Sequence, residues 1–381
     1  MSDPILVVGG AGFIGSHVAR QLQRTESKLY VLDNLQGGYW QTAAKLGLLE
    51  ENRLIVGDVR DRQSIDNAMN FIATRERSAP ESVLHFAARI EVAESTQYPN
   101  LYFQTNTDGT KNLLASMAKF GVENLVFSST AATYGNPSST DGRLTEESPT
   151  RPINPYGESK LRAELAIRSA VNDGSIRSAV ALRYFNASGC SQDGALGEMH
   201  QPETHLIPRA IMPLLDHPTY QKFTVFGSDF ETPDGTCVRD YIHVEDLADA
   251  HQLALIQAKE EPGWRVYNLG SGRGYSNKEV VEQVYDVLGA DVRTIGYGDR
   301  RDGDPAILIA DPARAVSELG WSPQYSLTDI VTDAVNFLDI YQQHKWQAWV
   351  DPKDVAGIAQ DRLTALENHQ VVARLQQFVE R

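Results

Sequence analysis

Tyr156 and Lys160 stand four residues apart in Pro155-Tyr156-Gly157-Glu158-Ser159-Lys160. On a helix, residues i and i+4 share a face, so the phenol and the amine would be neighbours. A lysine beside a tyrosine favours the phenolate and lowers the phenol pKa. The tyrosine could then exchange a proton with a substrate hydroxyl. Taken alone, the spacing is common on solvated helix faces, so its meaning depends on what the rest of the chain sets beside it.

The first such element is at the N-terminus. Ile5-Leu6-Val7-Val8 is a short apolar run that reads as a buried parallel strand. Gly9-Gly10-Ala11-Gly12-Phe13-Ile14-Gly15 follows at once, and Ser16 to Leu22 has helical spacing. Strand, glycine turn and helix form the context of a dinucleotide fingerprint. In it Gly9 allows the tight turn, Gly12 admits a pyrophosphate close to the backbone, and Gly15 lets helix and strand pack. The next strand, Leu29 to Leu32, ends at Asp33. A carboxylate there can accept both adenosine ribose hydroxyls and would repel a 2′-phosphate, so the expected cofactor is NAD.

The elements that must hold these residues continue as βα repeats. Candidate strands are Leu54–Val56, Val83–Phe86, Leu125–Phe127 and Ala179–Leu182, with a helical pattern over Thr110–Met117. The expected fold is α/β: a Rossmann-type doubly wound parallel sheet with a smaller C-terminal α/β substrate-binding domain. The boundaries read as 1–186 for the NAD-binding domain, with about 236–258 returning to it, and 187–343 mainly for the substrate domain. Residues 344–381 read as a helical extension. Ligands in such sheets lie beyond the carboxyl ends of the strands, which is where Asp58, Ala87-Ala88 and Ser128-Ser129-Thr130 fall.

Composition narrows the function classes. The 381 residues are 41% hydrophobic and 22% charged, with a net charge of −15. That balance argues against nucleic acid or an anionic membrane as the main partner. No apolar run of about 18 residues suggests a membrane span, and the N-terminus shows no signal peptide. Two cysteines, Cys190 and Cys237, make neither a disulfide framework nor a thiolate metal site and read as reduced thiols of a cytoplasmic protein. His200 and His205, near Glu198 and Glu203, lack helical His-x-x-x-His spacing, so no metal is expected.

Further segments carry a resemblance. They are Leu32-Asp33-Asn34-Leu35, His85-Phe86-Ala87-Ala88, Phe127-Ser128-Ser129-Thr130, Asn154-Pro155-Tyr156-Gly157-Glu158-Ser159-Lys160 and Leu182-Arg183-Tyr184-Phe185-Asn186. Together with the glycine turn they resemble the extended short-chain dehydrogenase/reductase family. Phe226-Gly227-Ser228-Asp229-Phe230, the stretch Asp234 to Val244, and Arg300-Arg301-Asp302-Gly303-Asp304-Pro305 are similar to its UDP-glucose 4-epimerase (UDP-galactose 4-epimerase) branch. The resemblance runs from about Ile5 to about Ile340.

The resemblance implies an isomerase that interconverts UDP-glucose and UDP-galactose through a transient 4-keto sugar. Thr130 would hydrogen-bond the sugar 4-OH, Tyr156 would take its proton, and Lys160 would hold the nicotinamide ribose and tune Tyr156. Hydride would pass from sugar C4 to a tightly held NAD and return on the other face. Phe13, Ile14 and Asn34 belong to the cofactor segment; Asp58 and Val59 would touch adenine. Phe86, Ala87 and Ala88 would line the pyrophosphate and ribose, Asn106 and Ser128 would support the cofactor, and Tyr184 and Phe185 would lie near the nicotinamide. For the substrate, Arg239 and Arg301 offer planar donor forks to the diphosphate, with Asn186, His205 and Leu206 beside them. Asp304 would accept ribose hydroxyls, and Val225 and Phe226 would flank uracil.

The resemblance also implies a homodimer through the helix that carries Tyr156. Departures from the pattern are Ile90, where some relatives place a lysine, and His205 in place of asparagine, whose charge would depend on pH. Thr130-Ala131-Ala132 lacks the carboxylate that dehydration needs. The residues leave hexose, N-acetylhexosamine and pentose open as the sugar. A non-catalytic NAD-sensing protein is the reading from another class; a sensor would need only the cofactor half.

Overall fold

The computed structural model describes residues 3–25, 27–137, 141–291, 295–300 and 304–343. Arg301 and the extension 344–381 therefore lie outside the described residues.

Strand β1 (Pro4–Val8) is buried along its whole length. Its side chains alternate between two cores, because successive residues of a strand point to opposite faces. Ile5 and Val7 enter one cluster with Val18, Leu22 and Leu247. Leu6 and Val8 enter the other with Ile65, Met69, Leu113 and Ile167. A strand covered on both faces belongs inside a parallel sheet. Seven parallel strands form that sheet in the order β12 (Gly263–Leu269), β7 (Ser178–Tyr184), β5 (Asn124–Thr130), β4 (Ser82–His85), β1, β2 (Lys28–Asp33) and β3 (Leu54–Val56).

The helices in chain order are α1 (Phe13–Gln23), α2 (Trp40–Lys45), α3 (Arg62–Glu76), α4 (Val92–Gln97), α5 (Pro99–Tyr102), α6 (Gly109–Phe120), α7 (Pro155–Asn172), α8 (Leu206–Ile211), α9 (Val244–Glu260), α10 (Asn277–Leu288) and α11 (Leu327–Gln343). Leu247, Ala254 and Leu255 of α9 join α1 on one face of the sheet, and α3, α6 and α7 cover the other. The segment that returns to the sheet thus reaches Leu269, because β12 adds the edge strand beside β7.

The chain moves from β1 to β2 and β3 in one direction, then crosses to β4, β5, β7 and β12 in the other. The order reverses between β1 and β4, and a crevice opens at such a switch point beyond the strand ends. Register makes the rim even: Val8 is level with His85, and Thr130 with Tyr184.

A smaller lobe closes this end. A four-stranded sheet gathers β13 (Tyr275–Ser276), β10 (Val238–Arg239), β15 (Ile307–Ala310) and β6 (Arg143–Leu144). Two strand pairs, β11 (Tyr241–His243) with β8 (Asn186–Ser188) and β14 (Gly296–Gly298) with β9 (Thr224–Phe226), complete it. Its core is built from α8, α10 and α11, with Ile207, Val281, Val284, Ile330 and Phe337.

Candidate active site

Between sheet and lobe lies one continuous cleft of ≈ 2200 Å³. Pockets for a single small molecule hold roughly 300–1,000 Å³, so this one has room for more than one such ligand.

The glycine turn forms one end. Gly9 has φ +83°, and a Cβ there would meet the Ala87 nitrogen at 2.4 Å. A Cβ on Gly15 would stand 2.3 Å from the Gly9 carbonyl oxygen, so helix and turn touch because both lack side chains. At Gly12, by contrast, a Cβ would meet only the Gly9 oxygen, at 3.5 Å. Gly12 is also the N-cap of α1 and provides no side-chain cap. The first N–H groups of a helix have no intrahelical partner and favour an anion; here they belong to Phe13, Ile14 and Gly15, all of which line the cleft.

Asp33 is 7% exposed. Its Oδ2 accepts from the Ala11 N–H at 2.9 Å and its Oδ1 from the Leu35 N–H at 2.8 Å. Burial raises its pKa and the two backbone donors act against that. Each oxygen keeps a second lone pair for a further donor. The Asn34 amide donates to Asp58 at 3.0 Å. Burial opposes ionisation of Asp58, but Arg60 and Asn34 hold it at about 2. Val59, Phe86, Ala87, Ala88 and Ser128 complete this half of the lining.

Asn106 does not line the cleft. It is buried, and its side chain accepts from the Arg89 N–H at 2.8 Å and donates to the Arg89 carbonyl at 3.0 Å and to Ser159 at 2.9 Å. It fixes the loop after β4, whose residues Phe86 to Ile90 are the wall itself.

Helix α7 carries Tyr156 and Lys160 to the middle of the cleft. Its start is set locally: Asn154 caps the helix by accepting from Gly157 N–H at 2.8 Å, and Pro155 follows at the first turn. Thr130 lies opposite, at the end of β5, where its hydroxyl also accepts from Ala132 N–H at 3.2 Å. Thr130, Tyr156 and Lys160 all line the cleft, as do Tyr184, Phe185 and Asn186 from the end of β7.

The electrostatics differ from the simple expectation. Burial raises the Tyr156 phenol, and a hydrogen bond with Thr130 acts in the opposite direction. A charge on Lys160 is not among these causes. The Lys160 amine is itself 2% exposed and lies over the Phe127 ring, 4.5 Å from its centroid. Burial pushes its pKa down to about 7, with the Glu164 carboxylate pulling the other way. Burial thus weakens the charge the amine offers its neighbour, so the i, i+4 spacing sets proximity without fixing the charge.

Glu164 is the functional neighbour that sequence reasoning missed. It accepts from Arg183 Nε at 2.9 Å and from a second Arg183 nitrogen at 2.5 Å, and the Ser129 hydroxyl also donates to it. All three are buried. This ion pair ties α7 to β5 and β7 one turn beyond Lys160. The signal was available: Glu164 continues the Tyr156, Lys160 stripe at i+8, and Arg183 is a charge inside a buried strand, which requires a partner.

At the other end, His205, Leu206, Phe226, Arg239, Asp304 and Leu308 line the cleft. Val225 does not, because alternation along β9 turns it into the lobe core while Phe226 faces outward. Arg239 and Asp304, expected to serve different parts of the substrate, face each other at 3.6 Å. The charge on His205 is less sensitive to neutral pH than the sequence suggests. Burial opposes protonation, but Glu198 and Glu203 raise its pKa to about 10.

Residues 5–270 match the model of the NAD dependent epimerase/dehydratase family. The chain belongs to that family. Within it, the chain is 44% identical over 336 residues to a UDP-glucose 4-epimerase of Rhizobium meliloti, spanning 88% of this chain and 97% of that one. Its fold is similar to the crystal structure of the Brucella ovis UDP-glucose 4-epimerase in complex with NAD, with TM-score 0.81, 43% identity and coverage of 89% and 99%. The Bifidobacterium longum UDP-glucose 4-epimerase, solved with NAD+ and UDP, gives TM-score 0.80 at 33% identity, covering 90% and 99%.

An NAD-dependent family member needs a dinucleotide site, and this cleft fits one. The uncapped α1 N-terminus and the open space at Gly12 suit a pyrophosphate. The buried Asp33, with lone pairs to spare, suits a ribose diol and repels a phosphate in its place. Among the described residues no helix is long and apolar enough to cross a membrane.

Proposed function

We propose that this chain is a UDP-glucose 4-epimerase that interconverts UDP-glucose and UDP-galactose and keeps its NAD bound between turnovers. The observation that carries this reading is that Thr130, Tyr156 and Lys160 share one cleft with the dinucleotide turn and with Arg239, His205 and Phe226. A cofactor-sensing protein would need only the first half.

NAD, when bound, supplies a reversible hydride acceptor for the hydrogen on sugar C4. Gly12 to Gly15, Asp33, Asn34, Asp58 and the wall from Phe86 to Ala88 would hold it. Thr130 hydrogen-bonds the sugar 4-OH, and Tyr156 takes and later returns its proton. Lys160 supplies the cationic character that stabilises the phenolate when it is protonated. A single tyrosine can serve both epimers only if the sugar ring turns over while the rest of the substrate stays fixed. The guanidinium of Arg239 and the imidazole of His205 grip the diphosphate, with Asn186 and Leu206 beside them, and Phe226 stacks near the base. Ala131 and Ala132 place no carboxylate beside the reacting carbon, which favours epimerisation over dehydration.

The test is incubation of the purified protein with UDP-galactose, UDP-N-acetylgalactosamine and UDP-arabinose separately, without added NAD, followed by chromatography. UDP-glucose should form from UDP-galactose; no conversion of any of the three would sink the reading. In Tyr156→Phe, turnover should fall by roughly 10²–10⁴ while NAD content stays at the wild-type level. The chain is further read as a cytoplasmic homodimer. Support comes from its free, buried cysteines and from Leu165, 55% exposed on α7. Light scattering that finds only monomer would remove the dimer.

A further inference from the structure

The segment between β8 and α8 brings together four side chains that no part of the epimerase reading uses as a set. Glu198, His200, Glu203 and His205 place one ligating atom each within 4.8 Å of all the others. Both imidazoles present Nδ1 to both carboxylates. His200 Nδ1 is 3.5 Å from Glu198 Oε1 and 3.5 Å from Glu203 Oε2. His205 Nδ1 is 3.1 Å from Glu198 Oε1 and 2.9 Å from Glu203 Oε1.

Those separations are informative. A directly bonded charged pair closes to about 2.7–2.9 Å, and three of these four exceed that. Ligands that each lie about 2.0–2.1 Å from a shared tetrahedral ion are about 3.3 Å apart; the three longer values, 3.1–3.5 Å, bracket that figure, while the 2.9 Å value is the His205–Glu203 Oε1 hydrogen bond. A second observation agrees. Glu203 is 3% exposed, yet its Oε2 has no hydrogen-bond partner, and neither has the buried His200 Nδ1 that faces it. Glu203 Oε1, by contrast, is fixed by the Thr204 and His205 N–H groups, each at 2.8 Å. One oxygen fixes the carboxylate, and the other is left over 3.5 Å from His200 Nδ1.

We infer that Glu198, His200, Glu203 and His205 form a binding site for a divalent first-row cation, zinc being the best match to two imidazole nitrogens and two carboxylate oxygens. A bound dication takes the place of the proton on His205; the two carboxylates and two imidazoles then sum to −2, which the dication cancels. All four residues line the cleft, which gives the ion an entry path. Thr204, inside the same segment, donates to the Glu91 carboxylate at 2.8 Å. A bound ion would therefore clasp the 198–205 segment to the wall after β4 and hold His205 and Leu206 in place. Its role is positioning: it would hold the His205 imidazole that the proposed function sets beside the diphosphate.

The full chain is dialysed against a chelator and then titrated with zinc chloride alone against a chromophoric competitor, with metal content measured after gel filtration. Wild type should hold about one zinc per chain. Glu198→Gln and His200→Asn should bind at least about tenfold more weakly while keeping wild-type circular dichroism. X-ray absorption at the zinc edge of wild type should give nitrogen or oxygen neighbours at about 2.0–2.1 Å and no sulfur; this arm stands even if the variants fail to fold. Zinc-free folded wild type at saturating zinc, sulfur neighbours, or equal uptake by wild type and folded variants would each overturn the inference. None of these readouts uses sugar turnover, so the site and the epimerase reading fail separately.

Discussion

Replacing Lys160 by methionine should abolish the proton chemistry and at the same time stabilise the fold. The unfolded chain releases the lysine proton near its ordinary 10.5, whereas in the folded protein burial brings release down to about 7. Between those values the unfolded state holds one more proton, so stability rises with pH across that window. Below about pH 7 the full cost of the buried charge is present. The shift corresponds to a cost on the order of 5 kcal/mol. The cation–π contact with Phe127 returns only about 1 kcal/mol, so the cost wins and Lys160→Met should gain about 4 kcal/mol at pH 6. Unfolding entropy of about 2.1 cal/mol/K per residue, over 381 residues, makes that an increase of about 5 °C in Tm. The assay is calorimetry of nucleotide-free wild type and variant from pH 6 to pH 10, with absorbance confirming that NAD has been removed. The Tm gap should be widest at pH 6 and shrink towards pH 10. A variant less stable than wild type at pH 6, or a gap that does not change with pH, would refute the account of Lys160 as a buried, strained base.

Three further outcomes follow from the same geometry. Glu164→Gln leaves the Arg183 guanidinium buried without its carboxylate, a loss of about 3–5 kcal/mol that calorimetry should register as a lower Tm; a joint Glu164→Leu, Arg183→Leu replacement should recover part of it. Arg239→Gln removes a charged donor fork from the diphosphate end, worth about 1.5–3 kcal/mol. Steady-state kinetics should show KM for the UDP-sugar up by roughly 10- to 100-fold with kcat little changed. Gly15→Ala puts a Cβ 2.3 Å from the Gly9 oxygen, so α1 must shift, and NAD recovered from the purified protein should fall well below one per chain.

How much of this was legible beforehand depended on the range of the signal. The strand starts, the glycine turn and the Tyr156/Lys160 pair are local patterns, and the structure places them where the periodicities of 2 and 3.6 require. Arg239, Phe226, His205 and Asp304, which the family resemblance assigned to the substrate, line the cleft. Val225 did not, although strand alternation alone forces either it or Phe226 inward. Strand β12 was not anticipated, because Gly263-Trp264-Arg265 opens it without an apolar run; it is a strand by pairing with β7 rather than by composition.

The sequence by itself determined the fold class, the cofactor turn, the spacing that brings a phenol near an amine, and the absence of a carboxylate after Thr130. These follow from residue type and local geometry, which a linear chain carries in full. Only the tertiary structure decided the state of those groups. Lys160 titrates near neutrality because the sheet and α7 bury it. Glu164 becomes a partner for Arg183 because β7 lies beside β5. Four residues without any metal spacing converge because one irregular segment folds across the cleft. Desolvation and charge pairing depend on what lies nearby in space, and for residues separated by tens of positions that is fixed by strand order and register.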